Sequence, residues 1–142
     1  MQADAANELI RRIESWVATQ PAISGALLVG SYAHGTSCPD SDIDICLFTS
    51  RVDSFLQDRE WLKAFGRLEK VEVEDWGAVK TLRTYFSDNC EVEFNFAEMT
   101  WASLNPIDPG TLQVVADGAQ ILYDPTGNLA ELLKAVALAQ CD

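Results

Sequence analysis

Two short stretches carry the residues of this chain best suited to chemistry. The first is Gly30-Ser31, followed after ten residues by Asp42-Ile43-Asp44. The second is Glu91-Val92-Glu93-Phe94-Asn95-Phe96. A glycine-serine turn lets a phosphate approach the backbone N–H groups closely, and a helix opening there adds a favourable dipole. Asp42 and Asp44, one residue apart on a strand, point to one face and can converge on shared cations. Without a cation that pairing is costly, because like charges repel and one carboxyl pKa rises. Magnesium takes oxygen ligands at about 2.0–2.1 Å. Two such ions about 3.5–4 Å apart stabilise the attacking and leaving oxygens of a transfer at phosphorus. A two-ion site calls for a third carboxylate. Glu91 and Glu93 supply candidates, since with Asn95 they alternate onto one strand face opposite Val92, Phe94 and Phe96. These residue types suit the handling of a nucleoside triphosphate with magnesium.

The elements that must position them follow from periodicity. Leu9, Ile10, Ile13, Trp16 and Val17 recur at helical spacing and predict a helix over Ala5–Thr19, with Pro21 barring continuation. Ile23–Val29 is short, apolar and glycine-bounded, and predicts a strand that meets a brief helix over Ser31–Gly35. Cys38–Ser41 reads as a turn. Asp42–Phe48 predicts the next strand, with Ile43, Ile45 and Leu47 on one face and Asp42, Asp44 and Cys46 on the other. A helix is expected over Asp58–Phe65, and a half-exposed strand where Val71 and Val73 alternate with Glu72 and Glu74. Ala78–Phe86 and Cys90–Phe96 flank Ser87-Asp88-Asn89 and predict a hairpin. Residues 105–110 read as a loop and Ile121–Tyr123 as a small strand. Leu129, Leu132, Leu133, Val136 and Ala137 predict a closing amphipathic helix after Asp124-Pro125. The order predicts an α/β (α+β) domain over residues 1–142, with a mixed sheet and helices packed mainly on one face.

The stretch from Gly30 to Asp44, with Tyr32, Ala33 and Gly35 inside it and Ser41 before the acids, resembles a known signature. It is the Gly-Ser-x10-Asp-x-Asp motif of the DNA polymerase beta-like nucleotidyltransferase superfamily. By its small size the chain is most similar to the minimal nucleotidyltransferases. With the Glu93 hairpin the resemblance spans residues 25–96. It implies the nucleotidyltransferase fold, with Asp42 and Asp44 as metal ligands and Gly30 and Ser31 as phosphate contacts. The third acid of the family lies on a neighbouring strand between hydrophobic residues. Glu93, in the context Val92-Glu93-Phe94, matches it, and Glu91 is the fallback. That acid helps bind the catalytic metal and accepts the proton of the acceptor hydroxyl.

By the same resemblance, two magnesium ions and a nucleoside triphosphate, ATP first, are expected. The activity would move an NMP to a hydroxyl of a protein or small molecule and release pyrophosphate. Minimal members pair with a separate HEPN-domain protein, in some cases as antitoxins. A HEPN-type partner or a homodimer is thus expected to complete the site. Two other readings stay open: a non-catalytic antitoxin-like module that neutralises such a partner by contact, and an antibiotic nucleotidyltransferase.

Bulk properties narrow the partners. The 142 residues, 48% hydrophobic and 23% charged, have the make-up of one globular domain. A net charge of −12 repels nucleic acid, which normally needs a basic stripe, and suits a cationic small acceptor or a basic protein. The four cysteines, Cys38, Cys46, Cys90 and Cys141, match no zinc spacing, and Cys46 and Cys90 fall in apolar runs that predict buried thiols. Met1 to Glu8 carries acids and no base, unlike a signal peptide, and no apolar run approaches the ~18 residues of a membrane span. A cytoplasmic location is the expectation. An EF-hand is excluded for Asp40-Ser41-Asp42-Ile43-Asp44, because Ile45 stands where that loop needs glycine and Arg51 where it needs glutamate. Neither a Walker loop nor Gly-x-Gly-x-x-Gly occurs. Of the remaining candidates, His34 and Asp40 read first as turn residues, Lys80 and Arg83 as ion-pair partners of nearby acids, and Trp61, Trp76 and Trp101 as packing groups.

Overall fold

The sheet is built around two strands, Ile23–Val29 and Ile43–Thr49, that are apolar on both faces along most of their length, and it is polar at the edge formed by Leu68–Asp75. In the computed structural model, which describes residues 3–35, 42–87, 90–104 and 107–139, the elements run as follows. They are α1 (Ala3–Val17), β1 (Ile23–Val29), α2 (Ser31–His34), β2 (Ile43–Thr49), α3 (Val52–Gln57), β3 (Leu68–Asp75), β4 (Lys80–Phe86), β5 (Cys90–Ala97), α4 (Pro109–Ala116), β6 (Ala119–Tyr123) and α5 (Asn128–Ala139). Single 3-10 segments cover Glu60–Phe65 and Met99–Ala102. The six strands lie in the order β3-β4-β5-β2-β1-β6. Only β2 and β5 are parallel; the other neighbours are antiparallel. This is the mixed sheet of an α+β fold that the element order predicts.

The helices divide between the two faces. On one face Leu9, Ile13 and Val17 of α1 bury against Ala26, Leu28, Ile43, Ile45, Leu47, Val92, Phe94 and Phe96. On the other, Leu129, Leu132 and Val136 of α5 and Val115 of α4 cover Leu27, Val29, Phe48 and Ala97. Strand parity explains the division: alternate residues of β1 and β2 point to opposite sides, and both sets are apolar along most of their length. The element order predicts helices mainly on one face, whereas α1 and the segment near residue 60 pack on one face and α4 and α5 on the other. The second face is covered by α5, expected from its apolar spacing, and by α4, which starts at the end of the stretch 105–110 that reads as a loop and continues beyond it. Its start is set by Asp108, whose carboxylate accepts from the N–H groups of Gly110 (2.9 Å) and Thr111 (3.1 Å), with Pro109 in the first turn.

Two smaller differences are local, and the half-exposed strand expected around Val71–Glu74 is present as β3. The helix expected over Asp58–Phe65 is a 3-10 segment, and α3 precedes it. Trp61, Phe65, Phe94 and Phe96 form a ring cluster there, with Trp16 stacked on Trp61 at 5.1 Å. β3 is an exposed edge, with Val73 and the following Trp76 open to solvent. β6 pairs with β1 over Ala119–Tyr123, longer than the three residues expected. The Cys38–Ser41 turn and the tip of the β4–β5 hairpin at residues 88–89 lie outside the described residues. Among the described residues no helix is long and apolar enough to cross a membrane.

Candidate active site

Strand register brings the acids together. The parallel pairing of β2 with β5 sets Asp44 beside Glu93. Asp42, just before β2, falls on the same face as Asp44. One ligand oxygen from each of Asp42, Asp44 and Glu93 lies within 4.8 Å of the others, and all three residues are half-buried. The antiparallel pairing of β4 with β5 sets Arg83 opposite Glu93. Glu91 and Asn95 follow Glu93 onto this face by alternation.

Gly30 sits against this cluster. The pairing of Val29 with Asp44 carries β1 to its end beside the acids. Gly30 there adopts φ 76 and ψ −158, a region essentially closed to residues with a side chain. A Cβ at this position would stand 2.7 Å from Asp44 Oδ2. Glycine is required twice over, by the backbone conformation and by the carboxylate packed on it. Ser31 follows as the first residue of α2, whose C-cap Gly35 donates its N–H to the Ser31 carbonyl at 3.0 Å.

The electrostatics of the acids are unusual. The Asp44 carboxyl is pushed up to about 9, first by burial, then by the hydrogen bond and the negative charge of Glu93 and by Asp42. Like charges this close repel, so the positive charge of a cation among them is favoured. Arg83 supplies part of that charge. Its Nη1 contacts Glu93 and lies 3.5 Å from Glu91 and 3.7 Å from Asp42, while Nη2 and Nε both lie 3.1 Å from Glu74 Oε1. Burial and Asp42 raise the Glu91 carboxyl. Cys46, next on the Asp44 face, is buried, and its thiol is raised to about 12 by burial and by Asp44.

Asp42, Asp44, Glu93 and Gly30 thus lie side by side, with Ser31 next in the chain. Glu91 stands at the rim, tied to Arg83. Arg83 pairs with acids, as its strand position predicts, and Lys80 is 3.9 Å from Asp75. The tryptophans do not share a wall. Trp61 packs in the aromatic cluster behind the sheet, Trp76 is 66% exposed, and Trp101 packs on Phe48 at 5.5 Å on the acid-bearing face. The side chain of His34 and all of Asp40 lie outside what the structure describes. Sequence reasoning left two features of this site unplaced. One is the clustering of Arg83 with four carboxylates, which needs the β4–β5 register. The other is a cavity of about 320 Å³ adjoining Asp44.

A donor set of three clustered carboxylate oxygens suits a hard divalent cation such as magnesium. The raised Asp44 carboxyl is the mark of a site whose charge such an ion would balance.

The family model of streptomycin adenylyltransferase matches residues 4–122. Among solved structures, an aminoglycoside 6-adenyltransferase from Bacillus subtilis shares the fold at a TM-score of 0.55 and 16% identity. The match covers 74% of this chain, which spans 38% of that structure's length. A toxin–antitoxin structure with AMP-PNP is similar over 99% of this chain and 89% of its own, at a TM-score of 0.44 and 15% identity. No curated protein sequence matches at a significant level.

Proposed function

Because the chain belongs to the streptomycin adenylyltransferase family, a family of nucleotidyltransferases, we propose that it transfers a nucleoside monophosphate from a triphosphate, ATP first, to a hydroxyl acceptor and releases pyrophosphate. The observation that carries this reading is the gathering of Asp42, Asp44 and Glu93 within 4.8 Å beside Gly30.

Each residue has a role in the proposal. Asp42 and Asp44 hold magnesium, two ions in the full site, and Glu93 completes the ligand set. When bound, magnesium neutralises the charge that develops on the transferred phosphoryl group and the leaving pyrophosphate. Glu93 also takes the proton of the acceptor hydroxyl. Gly30 and Ser31 receive the triphosphate, Gly30 because its missing side chain leaves the backbone open on the side of Asp44. Arg83 holds Glu93 and Asp42 in place through its anchorage on Glu74. It is a positioning residue. Transfer at phosphorus asks for alignment and charge neutralisation more than for covalent chemistry, and the site offers both.

A protein acceptor, of the HEPN type or a second copy of this chain, is a second reading. The exposed Val73 and Trp76 on the acidic β3 edge favour it, since such an edge offers pairing to another chain. A small cationic acceptor stays compatible with the net charge of −12.

The test is pyrophosphate release from each triphosphate with and without magnesium, for the wild type and for Asp44→Asn. The expected result is metal-dependent release by the wild type and a loss of at least 100-fold in the variant, on the order of one strong transition-state contact. Undiminished release from a folded Asp44→Asn protein would refute the reading.

A further inference from the structure

We propose that the cavity of about 320 Å³ adjoining Asp44 is the acceptor subsite, and that it takes an uncharged hydroxyl compound with an apolar body of one or two rings. The inference rests on the nucleotidyl-transfer reading above and names the class of acceptor for it.

Position comes first. The cavity starts at Asp44 and follows the acid-bearing face of the sheet, past Cys46 and Phe48 of β2 and Asn95 and Ala97 of β5. Along the sheet this leads away from Gly30 and Ser31. Gly30 and the cavity thus both adjoin Asp44, the cavity running from Val29 and Asp44 toward Phe48. A compound seated in the cavity with its hydroxyl at the Asp44 mouth meets the donor at the acids. The transfer is balanced: Glu93 takes the hydroxyl proton, and the acceptor oxygen bonds to the α-phosphorus. The bond between that phosphorus and the oxygen bridging to the β-phosphate breaks, and pyrophosphate leaves with the electron pair.

Chemistry of the walls comes second. Val29, Phe48, Val79, Ala97, Trp101 and Val114 make them mostly apolar. Asn95 is committed elsewhere: its Oδ1 accepts from Thr81 Oγ1 at 2.6 Å and its Nδ2 donates to the Ile45 carbonyl at 3.2 Å. Among the described lining residues Asp44 is the one carboxylate, and it is already shared with the acid cluster. An ammonium group carried into such walls would lose its water without gaining a partner. A polycationic aminoglycoside therefore does not fit, although the net charge of the chain would attract one.

Size comes third. Small-molecule sites run from about 300 to 1,000 Å³, so this cavity stands at the low end. It holds one or two rings, since a cavity of about 150 Å³ already takes a benzene.

The experiment is ligand-observed NMR on the full chain with benzyl alcohol and cyclohexylmethanol as probes and streptomycin as competitor. Calorimetry of Mg–ATP and of tripolyphosphate runs in parallel. The variants are Val114→Trp and Val79→Trp, which fill the cavity from two different elements, each checked for native circular dichroism. Expected are binding of both alcohols by the wild type, at least a tenfold loss in each folded variant, no displacement by streptomycin, and Mg–ATP affinity within twofold of wild type. Four results would overturn the proposal. One is no alcohol binding by a wild type that binds Mg–ATP, which leaves the transfer reading standing. Displacement of the alcohols by streptomycin is another. A third is a tenfold loss of Mg–ATP affinity in the variants with tripolyphosphate unchanged, which gives the cavity to the nucleobase of the donor. The last is failure of the wild type to bind Mg–ATP at all, which removes the transfer reading and the acceptor role together.

Discussion

With the Asp44 carboxyl pushed up to about 9 and its unfolded counterpart near 3.8, folding without a metal takes up a proton at this site. The sign follows from linkage: between those values the folded state binds more protons than the unfolded one, so stability falls as pH rises. The melting temperature of the metal-free protein is expected to drop from pH 5 to pH 9. Saturating magnesium is expected to flatten or reverse that slope, since it binds the ionised carboxylates, and Asp44→Asn to remove this contribution. Thermal melts in EDTA and in magnesium across that range check it; identical slopes in both would speak against a cation at these acids. At this scale the sequence is informative but incomplete. Asp42, Asp44 and Glu93 stand out because acids on an apolar strand are costly without a use. Arg83 does not stand out, because a basic residue in an exposed-looking hairpin reads as an ordinary surface ion pair. Only its register opposite Glu93 makes it a neighbour of four acids.

Among the elements, the strands that carry the acids are legible because their alternation is clean, and α1 because its apolar spacing is regular. α4 is hidden by its own starting signal. Asp108-Pro109-Gly110 has turn composition, yet Asp108 caps a helix through the N–H groups of Gly110 and Thr111. Asp124 does the same for α5, accepting from the N–H groups of Leu129 (3.1 Å) and Ala130 (2.9 Å). Asp-Pro before an apolar stretch, read as a cap and not only as a turn, is the signal that recovers α4. The element matters for function, because α4 supplies Gly110 and Val114 to the cavity beside Asp44. Asp108→Ala is expected to lower stability by about 1 kcal/mol, as for other N-cap losses. In urea it should shift the midpoint without changing the slope. An unchanged midpoint would show that the cap contributes nothing.

At the scale of the whole molecule, charge and site pull in different directions. A net charge of −12 disfavours nucleic acid and attracts cations. The cavity at the acids is apolar, and the exposed β3 edge suits a protein. The fold is legible because the motif spacing predicts the strands, and the pairing of β2 with β5 brings together the acids that the motif marks. The cavity proposed for the acceptor is not legible, because it depends on surfaces that strands and helices form only when packed. The chain covers 38% of the aminoglycoside enzyme it resembles, so that enzyme's acceptor does not transfer to it by likeness. The central claim is a metal-dependent nucleotide site on Asp42, Asp44 and Glu93. Calorimetric titration of a non-hydrolysable ATP analogue into the protein tests it most directly, run in magnesium, in EDTA and with Asp44→Asn. Saturable binding at one site is expected in magnesium, lost in EDTA and in the variant. Binding of equal strength in all three, or none in magnesium, would contradict the claim.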